Sequence, residues 1–160
     1  MTNYSLETKE NFTVLGIGTE LKSDYTDYAG INNEKTTFWN DMVNKGIIDK
    51  LKSIATNDYL FIVNEAVNSK MMHYVGVMTN ETLPEATRQI EFPSSEYLVV
   101  EGEAQSEKEL SDLLTGRAFG ELLPSNSDIS YVGGPNTAVI KGNNEDLVYG
   151  EMWIPIVKKN

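Results

Sequence analysis

The sequence contains no cysteine. Disulfides, thiolate nucleophiles and thiolate metal sites are therefore excluded together. It contains a single histidine, His73. That argues against a histidine-rich metal centre and leaves one imidazole at most for a hydrolytic triad. Neither a metal nor a cofactor is expected. Basic residues are scarce: 13 Lys and Arg stand against 24 Asp and Glu, for a formal net charge of −11. They are also scattered, whereas nucleic-acid binding needs Lys and Arg clustered against phosphates. Direct nucleic-acid binding is not expected. No apolar run approaches the ~20 residues that span a bilayer. The opening segment MTNYSLETKENF has no apolar h-region, so no secretory signal is visible. The expectation is a cytoplasmic protein with no membrane partner. The acidic excess serves solubility, and its field would also draw in cations.

The chain has 160 residues, 40% hydrophobic and 23% charged, the mix of an ordinary globular protein. This length suits one domain, 1–160, with a real core. FTVLGIGTEL (12–21) reads as a strand rich in β-branched residues. KSDYTDYAGINNEK is polar and reads as a loop. In TTFWNDMVNKG, Phe38, Trp39, Met42 and Val43 recur at helical spacing and Gly46 is a natural stop. IIDKLKSI extends this helical region. DYLFIVNEAV and MMHYVGVMTN read as strands joined through Asn68-Ser69, a hairpin signal.

The second half repeats that order. SSEYLVVEGEA is a strand. SEKELSDLLTGRAFGELLP opens with Ser106 and Glu109, a capping-box pair, and closes at Pro124. Its Gly116 and Gly120 predict a broken helix. ISYVGGPNTAVIKG and EDLVYGEMWIPIVKK are two further strands, with a turn expected at Gly142-Asn143-Asn144. Residues 83–95 carry the crossover and a lead-in strand. The predicted class is α+β: duplicated β-α-β-β halves, about 1–82 and 83–160, forming one antiparallel sheet with two main helices on one face and a central cleft. Pockets favour such junctions.

Candidate site residues come from aromatic, methionine and acidic positions. Trp39 and Phe119 lie in the helical regions; Phe61, Tyr74, Tyr97, Tyr131 and Trp153 lie on strands. Each alone is ordinary core material, but aromatics and methionines around a cleft make an adaptable apolar pocket. Glu101 and Glu103 read as a solvated strand edge. Glu151 shares a strand face with Tyr149 and Trp153, and a sheltered carboxylate there would serve as a cation partner or general base. No phosphate-binding motif is present: GIGTEL lacks the third glycine and the helix of a dinucleotide fingerprint.

Four stretches carry a family resemblance: FWNDMV, HYVGVMT, FGELLPSNSDISY and MWIPI, in this order over most of the chain. Together they resemble the GyrI-like domain, the effector-binding domain of AraC- and MerR-type multidrug-sensing regulators. The resemblance implies a central cleft for bulky, aromatic, in many cases cationic small molecules. No DNA-binding segment precedes the motifs, so a stand-alone binder is expected. Other relatives imply two alternatives: a hydrolase acting on cyclopropane-bearing alkylators, and a protein-interaction module that inhibits gyrase. The family's pocket glutamate has no counterpart: Ala138 or Val139 occupies its slot, so either Glu151 or Glu121 substitutes or the pocket binds by aromatic and apolar contact alone.

Family geometry turns Ala138 and Ile140 toward the cleft, with Phe61 and Val63 as their counterparts in the first half. It turns Met152 and Ile154 inward, matched by His73 and Val75, and makes Trp39 and Phe119 the walls. The last strand leaves two arrangements. Met152 faces the cleft with Trp153 behind the sheet, which family geometry favours, or Trp153 and Glu151 face inward. The expected ligand-binding set is Trp39, Phe61, His73, Val75, Phe119, Ala138, Ile140, Glu151, Met152 and Trp153. No catalytic residue is assigned.

Overall fold

The computed structural model describes residues 4–24 and 26–158. The apolar stretches become nine antiparallel strands of one curled sheet. They are β1 (Tyr4–Lys9), β2 (Phe12–Leu21), β3 (Leu60–Val67), β4 (Lys70–Val77), β5 (Arg88–Phe92), β6 (Ser95–Ala104), β7 (Ile129–Tyr131), β8 (Asn136–Asn144) and β9 (Leu147–Lys158). Between them lie α1 (Tyr28–Asn44), α2 (Ile47–Ile54) and α3 (Glu107–Arg117). A π-helical turn, Ala118–Leu122, and a last turn, α4 (Leu123–Ser125), continue α3.

The strand order is β1-β6-β9-β8-β3-β4-β2-β5, with β7 on the end of β9. Exchanging β1 with β5, β2 with β6, β3 with β8 and β4 with β9 maps this order onto itself. The duplication read in the sequence is therefore present, and β3 and β8 meet at its centre. The lead-in strands cross over: β1 pairs with β6 of the second half, and β5 with β2 of the first.

This crossing forces the sheet to curl. Only Glu10 and Asn11 join β1 to β2, and only Pro93 and Ser94 join β5 to β6. Three Cα steps reach about 11 Å. In a flat sheet, six strand positions span about 29 Å. The two margins must therefore approach each other, and they do so on the face away from the helices. There Phe12 of β2 stacks on Phe92 of β5, with ring centroids 4.5 Å apart. Its edge meets Trp153 of β9 at 5.6 Å, and it reaches Tyr97 of β6 at 6.3 Å. Lys9 places its ammonium 4.0 Å from the Trp153 ring centre. The Tyr97 hydroxyl donates to Pro93 O at 2.7 Å, which ties down the second link.

The opposite face buries the helices. Phe38, Trp39 and Met42 of α1, Leu51 of α2 and Leu110 and Leu114 of α3 pack on it. Gly46, at φ 72°, makes the sharp turn between α1 and α2. Asn68 and Ser69 both take positive φ in the β3–β4 hairpin, as the strand twist requires.

Some expectations needed correction. Helix α1 starts at Tyr28, inside the stretch read as loop. Its first turns lack an apolar stripe, and side chains define it instead: Asp27 accepts from Gly30 N at 3.0 Å, and Glu34 accepts from the Lys22 and Ser23 amides. Strand β1 was not anticipated because it is an exposed edge with little apolar pattern. The turn after β8 falls at Glu145-Asp146, and Gly142 belongs to a bulge. Phe61 and Val63 face away from the helices, whereas Leu60 and Ile62 face them. Register decides this: Ile62 sits opposite Ala138, and Phe61 opposite Val139.

Phe12→Ala removes the ring shared by four strands at the closure. We expect a loss of about 3 kcal/mol, typical of a large aromatic truncation, read as a lower urea midpoint. An unchanged midpoint would show that the closure adds nothing to stability.

Candidate functional site

Register creates a polar row on the helix-side face. Asn136 of β8 pairs with Asn64 of β3, and Asn64 pairs with His73 of β4. Residues directly opposite one another share a face. Three polar side chains thus cross the centre of an otherwise apolar floor. His73 Nδ1 lies 2.8 Å from Asn64 Oδ1, which requires the proton on Nδ1. The Phe38 ring meets His73 edge-on at 5.8 Å. Burial pushes the His73 pKa down to about 3, and the positive charges of Lys35 and Lys108 add to the effect. His73 is therefore a neutral hydrogen-bonding group.

Above this row, α1 and the α3–π segment stand apart over a cavity of about 280 Å³. Ile31 and Lys35 enter it from α1, four residues apart and so on one helical face. Thr115 and Phe119 enter from the other side, the latter carried by the π-helical turn. Such turns frequently occur at functional sites. Leu21, Ala66 and Met71 close one end, and the register Leu21–Met71–Ala66 places them side by side. Tyr131 of β7 stands edge-on to Phe119 at 5.5 Å. Its hydroxyl donates to Gly134 O and accepts from Asn136 Nδ2 at 3.2 Å. Burial raises the Tyr131 pKa.

Charge in the cleft is unevenly matched. Lys108 bridges the two helices, donating to Asp112 at 2.6 Å and to Asn32 Oδ1 at 3.2 Å. Glu65, on the cavity rim, accepts from both Arg88 Nε and Arg88 Nη2 and from the Tyr74 hydroxyl. Among the described residues, Lys35 has no ion-pair partner. Burial lowers its pKa, only partly offset by Asp112.

The expected site residues separate into three groups. His73 lies in the polar row and Phe119 lines the cavity. Val75, Ala138, Ile140 and Met152 face the helices from the sheet, and Trp39 packs down onto them from α1, so all five are buried in the core beneath the cavity. Phe61, Trp153 and Glu151 lie on the other face. Glu151 accepts from Trp153 Nε1 at 2.8 Å and pairs with Lys141 at 3.0 Å. The last strand thus takes the arrangement with Met152 inside, and Glu151 supplies no carboxylate to the cleft. Glu121 is exposed on the π-helical turn. Lys35, Asn64 and Asn136 were missed. The two asparagines interrupt apolar strands, a signal that was legible; Lys35 fell in the stretch read as loop.

Among the described residues, no cluster of three His, Cys, Asp or Glu side chains is arranged to hold a metal. Nor is any helix long and apolar enough to cross a membrane.

Comparison with known proteins follows this geometry. The model of the family Cass2, described as integron-associated effector binding protein, matches residues 5–156. No curated protein matches the chain. Among solved structures, the fold is similar to SAV2435, determined bound to tetraphenylphosphonium: TM-score 0.79, 15% identity, covering 97% of this chain and 94% of that one. It is similar to a putative bacterial transcription regulation protein from Staphylococcus aureus MU50 at TM-score 0.76 and 16% identity, covering 98% and 99%. An integron cassette protein from the mobile metagenome of Vibrio cholerae aligns at TM-score 0.58 and 7% identity, covering 94% and 95%. The fold is thus of the GyrI-like kind.

The neutral state of His73 is directly testable. A folded pKa near 3 against 6.5 in the unfolded chain means that protonation favours unfolding. This group's contribution is complete above pH 6.5 and is lost as pH falls toward 3, at about 1.4 kcal/mol per pH unit. His73 is the sole histidine, so its ring resonances are unambiguous. They should not titrate in the folded protein between about pH 8 and 5, and His73→Leu should flatten the acid limb of stability. Titration near pH 6.5 would contradict the burial argument.

Proposed function

The chain belongs to the family of integron-associated effector binding proteins, and from that membership and the shape of the cleft we propose that it is a small-molecule-binding domain. Its ligands would be hydrophobic, aromatic compounds, taken up with the broad specificity expected of xenobiotic recognition. The observation that carries this reading is the cavity between α1 and the π-helical turn. It is lined mainly by Leu21, Ile31, Met71, Met72 and Phe119, with a few converging polar groups. That combination is the usual make-up of a ligand site. Flexible methionines let one cavity accept several shapes. The tetraphenylphosphonium bound to SAV2435 supports the use of this fold for bulky aromatic surface, whereas its positive charge would meet Lys35 in this chain.

The driving force is apolar burial. Covering ~200 Å² of ligand surface contributes about 5 kcal/mol, less the cost of association. That term alone corresponds to a Kd no tighter than about 0.2 mM, so micromolar binding depends on the close packing and polar contacts the cavity adds to it. The chemistry at the cavity favours the hydrophobic component of the ligand over a cationic one. Glu65 and Asp112 are already paired, and Lys35 brings positive charge. A hydrolytic reading would need a free carboxylate beside the ligand, and Glu151 lies on the other face of the sheet.

Fluorescence titration with a panel of planar aromatic dyes tests the proposal. We expect several to bind in the micromolar range, and Phe119→Ala to weaken them about tenfold. Tyr149→Ala, on the opposite face, should leave them unchanged. Absence of binding below high micromolar concentration, together with no effect of Phe119→Ala, would remove the cleft as the site.

A further inference from the structure

Two groups in the cleft are left unmatched, and they differ in kind. The first is the Lys35 ammonium. It is half-buried among apolar side chains and has no ion pair among the described residues. The opposite charge that acts on it, Asp112, is committed to Lys108 at 2.6 Å. Glu65, on the rim, holds Arg88 at 2.8 Å. Among the described residues lining the cavity, the one charge without an ion-pair partner is therefore positive.

The second is Asn136 Oδ1. The residue is 7% exposed, and this oxygen is buried without a hydrogen-bond partner. Its orientation follows from its neighbour. The Tyr131 hydroxyl gives its only proton to Gly134 O, so it must accept from Asn136. The amide NH2 therefore faces Tyr131 and the oxygen is left over. Buried polar groups in folded proteins are nearly always paired. An orphan acceptor on a cavity wall marks a place where a ligand donor fits.

We propose that the cleft takes small aromatic or apolar carboxylic acids, with the carboxylate accepting from Lys35 and a hydroxyl or amide N–H of the ligand donating to Asn136 Oδ1. This deepens the small-molecule reading above and rests on it. The apolar body lies against Phe119, Met71 and Ile31. Neutral His73, with Nδ1 turned to Asn64, adds no charge to the floor. A cationic ligand would place like charge beside Lys35 in a sheltered site, where repulsion is poorly screened.

The test uses three probes of nearly the same shape, 2-naphthoate, 2-naphthol and 2-naphthylmethylammonium, measured by isothermal titration calorimetry on the full chain. In the wild type, the carboxylate should bind at least tenfold more tightly than the ammonium. Lys35→Met keeps the length and removes the charge. It should weaken 2-naphthoate at least tenfold and leave 2-naphthol within about twofold, which also reports that the variant is folded. Among hydroxy-2-naphthoates, the tightest binder should exceed 2-naphthoate, and Asn136→Leu should abolish that gain. If the ammonium binds as tightly as the carboxylate, or Lys35→Met leaves 2-naphthoate unchanged, the assignment of an acid is overturned and the binding cleft stands. If none of the three probes binds the wild type, both readings fall.

Discussion

The structure depends on two short links that cannot reach across a flat sheet. Glu10-Asn11 and Pro93-Ser94 each carry the chain between strands six places apart. The sheet must curl to let them close, and closing it needs apolar mass on the inside of the curl. Phe12, Phe92, Tyr97 and Trp153 supply that mass. Trp153 is therefore occupied on all sides: Phe12 and Phe61 at its edges, Lys9 over its face, Glu151 on its nitrogen. A tryptophan that satisfies so many neighbours is part of the frame and is not free to receive a ligand.

With the inner face consumed by closure, the helices and the cleft fall to the other face. The near-symmetry of the halves brings β3 and β8 together in the middle, and their register carries Asn64 and Asn136 side by side. The halves are alike in topology and unlike in chemistry. The first contributes the cation Lys35 and the neutral His73. The second contributes Phe119 on a π-helical turn and the Tyr131–Asn136 pair. The symmetric fold thus frames a cavity whose two walls differ, which orients a ligand with one polar end.

The polar row also shows why a lone histidine need be neither catalyst nor metal ligand. Burial and two nearby ammonium groups hold it neutral. Its Nδ1 is engaged by Asn64, and among the described residues no carboxylate hydrogen-bonds to its ring. The acid that would have given the cleft reactivity, Glu151, is spent on Trp153 and Lys141 across the sheet.

Much of this was legible in the sequence. Apolar stretches rich in β-branched residues located most of the strands, although ISYVGGPNTAVIKG, read as one, divides into β7 and β8; Ser106 and Gly46 marked helix ends, and the repeated order of elements gave the two-halved sheet. Local patterns carry such information because they reflect burial of one face and satisfaction of chain ends. Strand β1 escaped because an edge exposed on both faces needs no apolar alternation. The start of α1 escaped because carboxylate caps, not an apolar stripe, define it. The faces of β3 and the company of Lys35 lay further out of reach. A strand's alternation says which residues go together, not which side meets the helices; only register against β8 turned Ile62 in and Phe61 out. The sequence by itself determined the elements, their duplication and the kind of fold. The tertiary structure alone decided which face became the closed core and which the cleft, because that choice rests on links and pairings between residues distant in the chain.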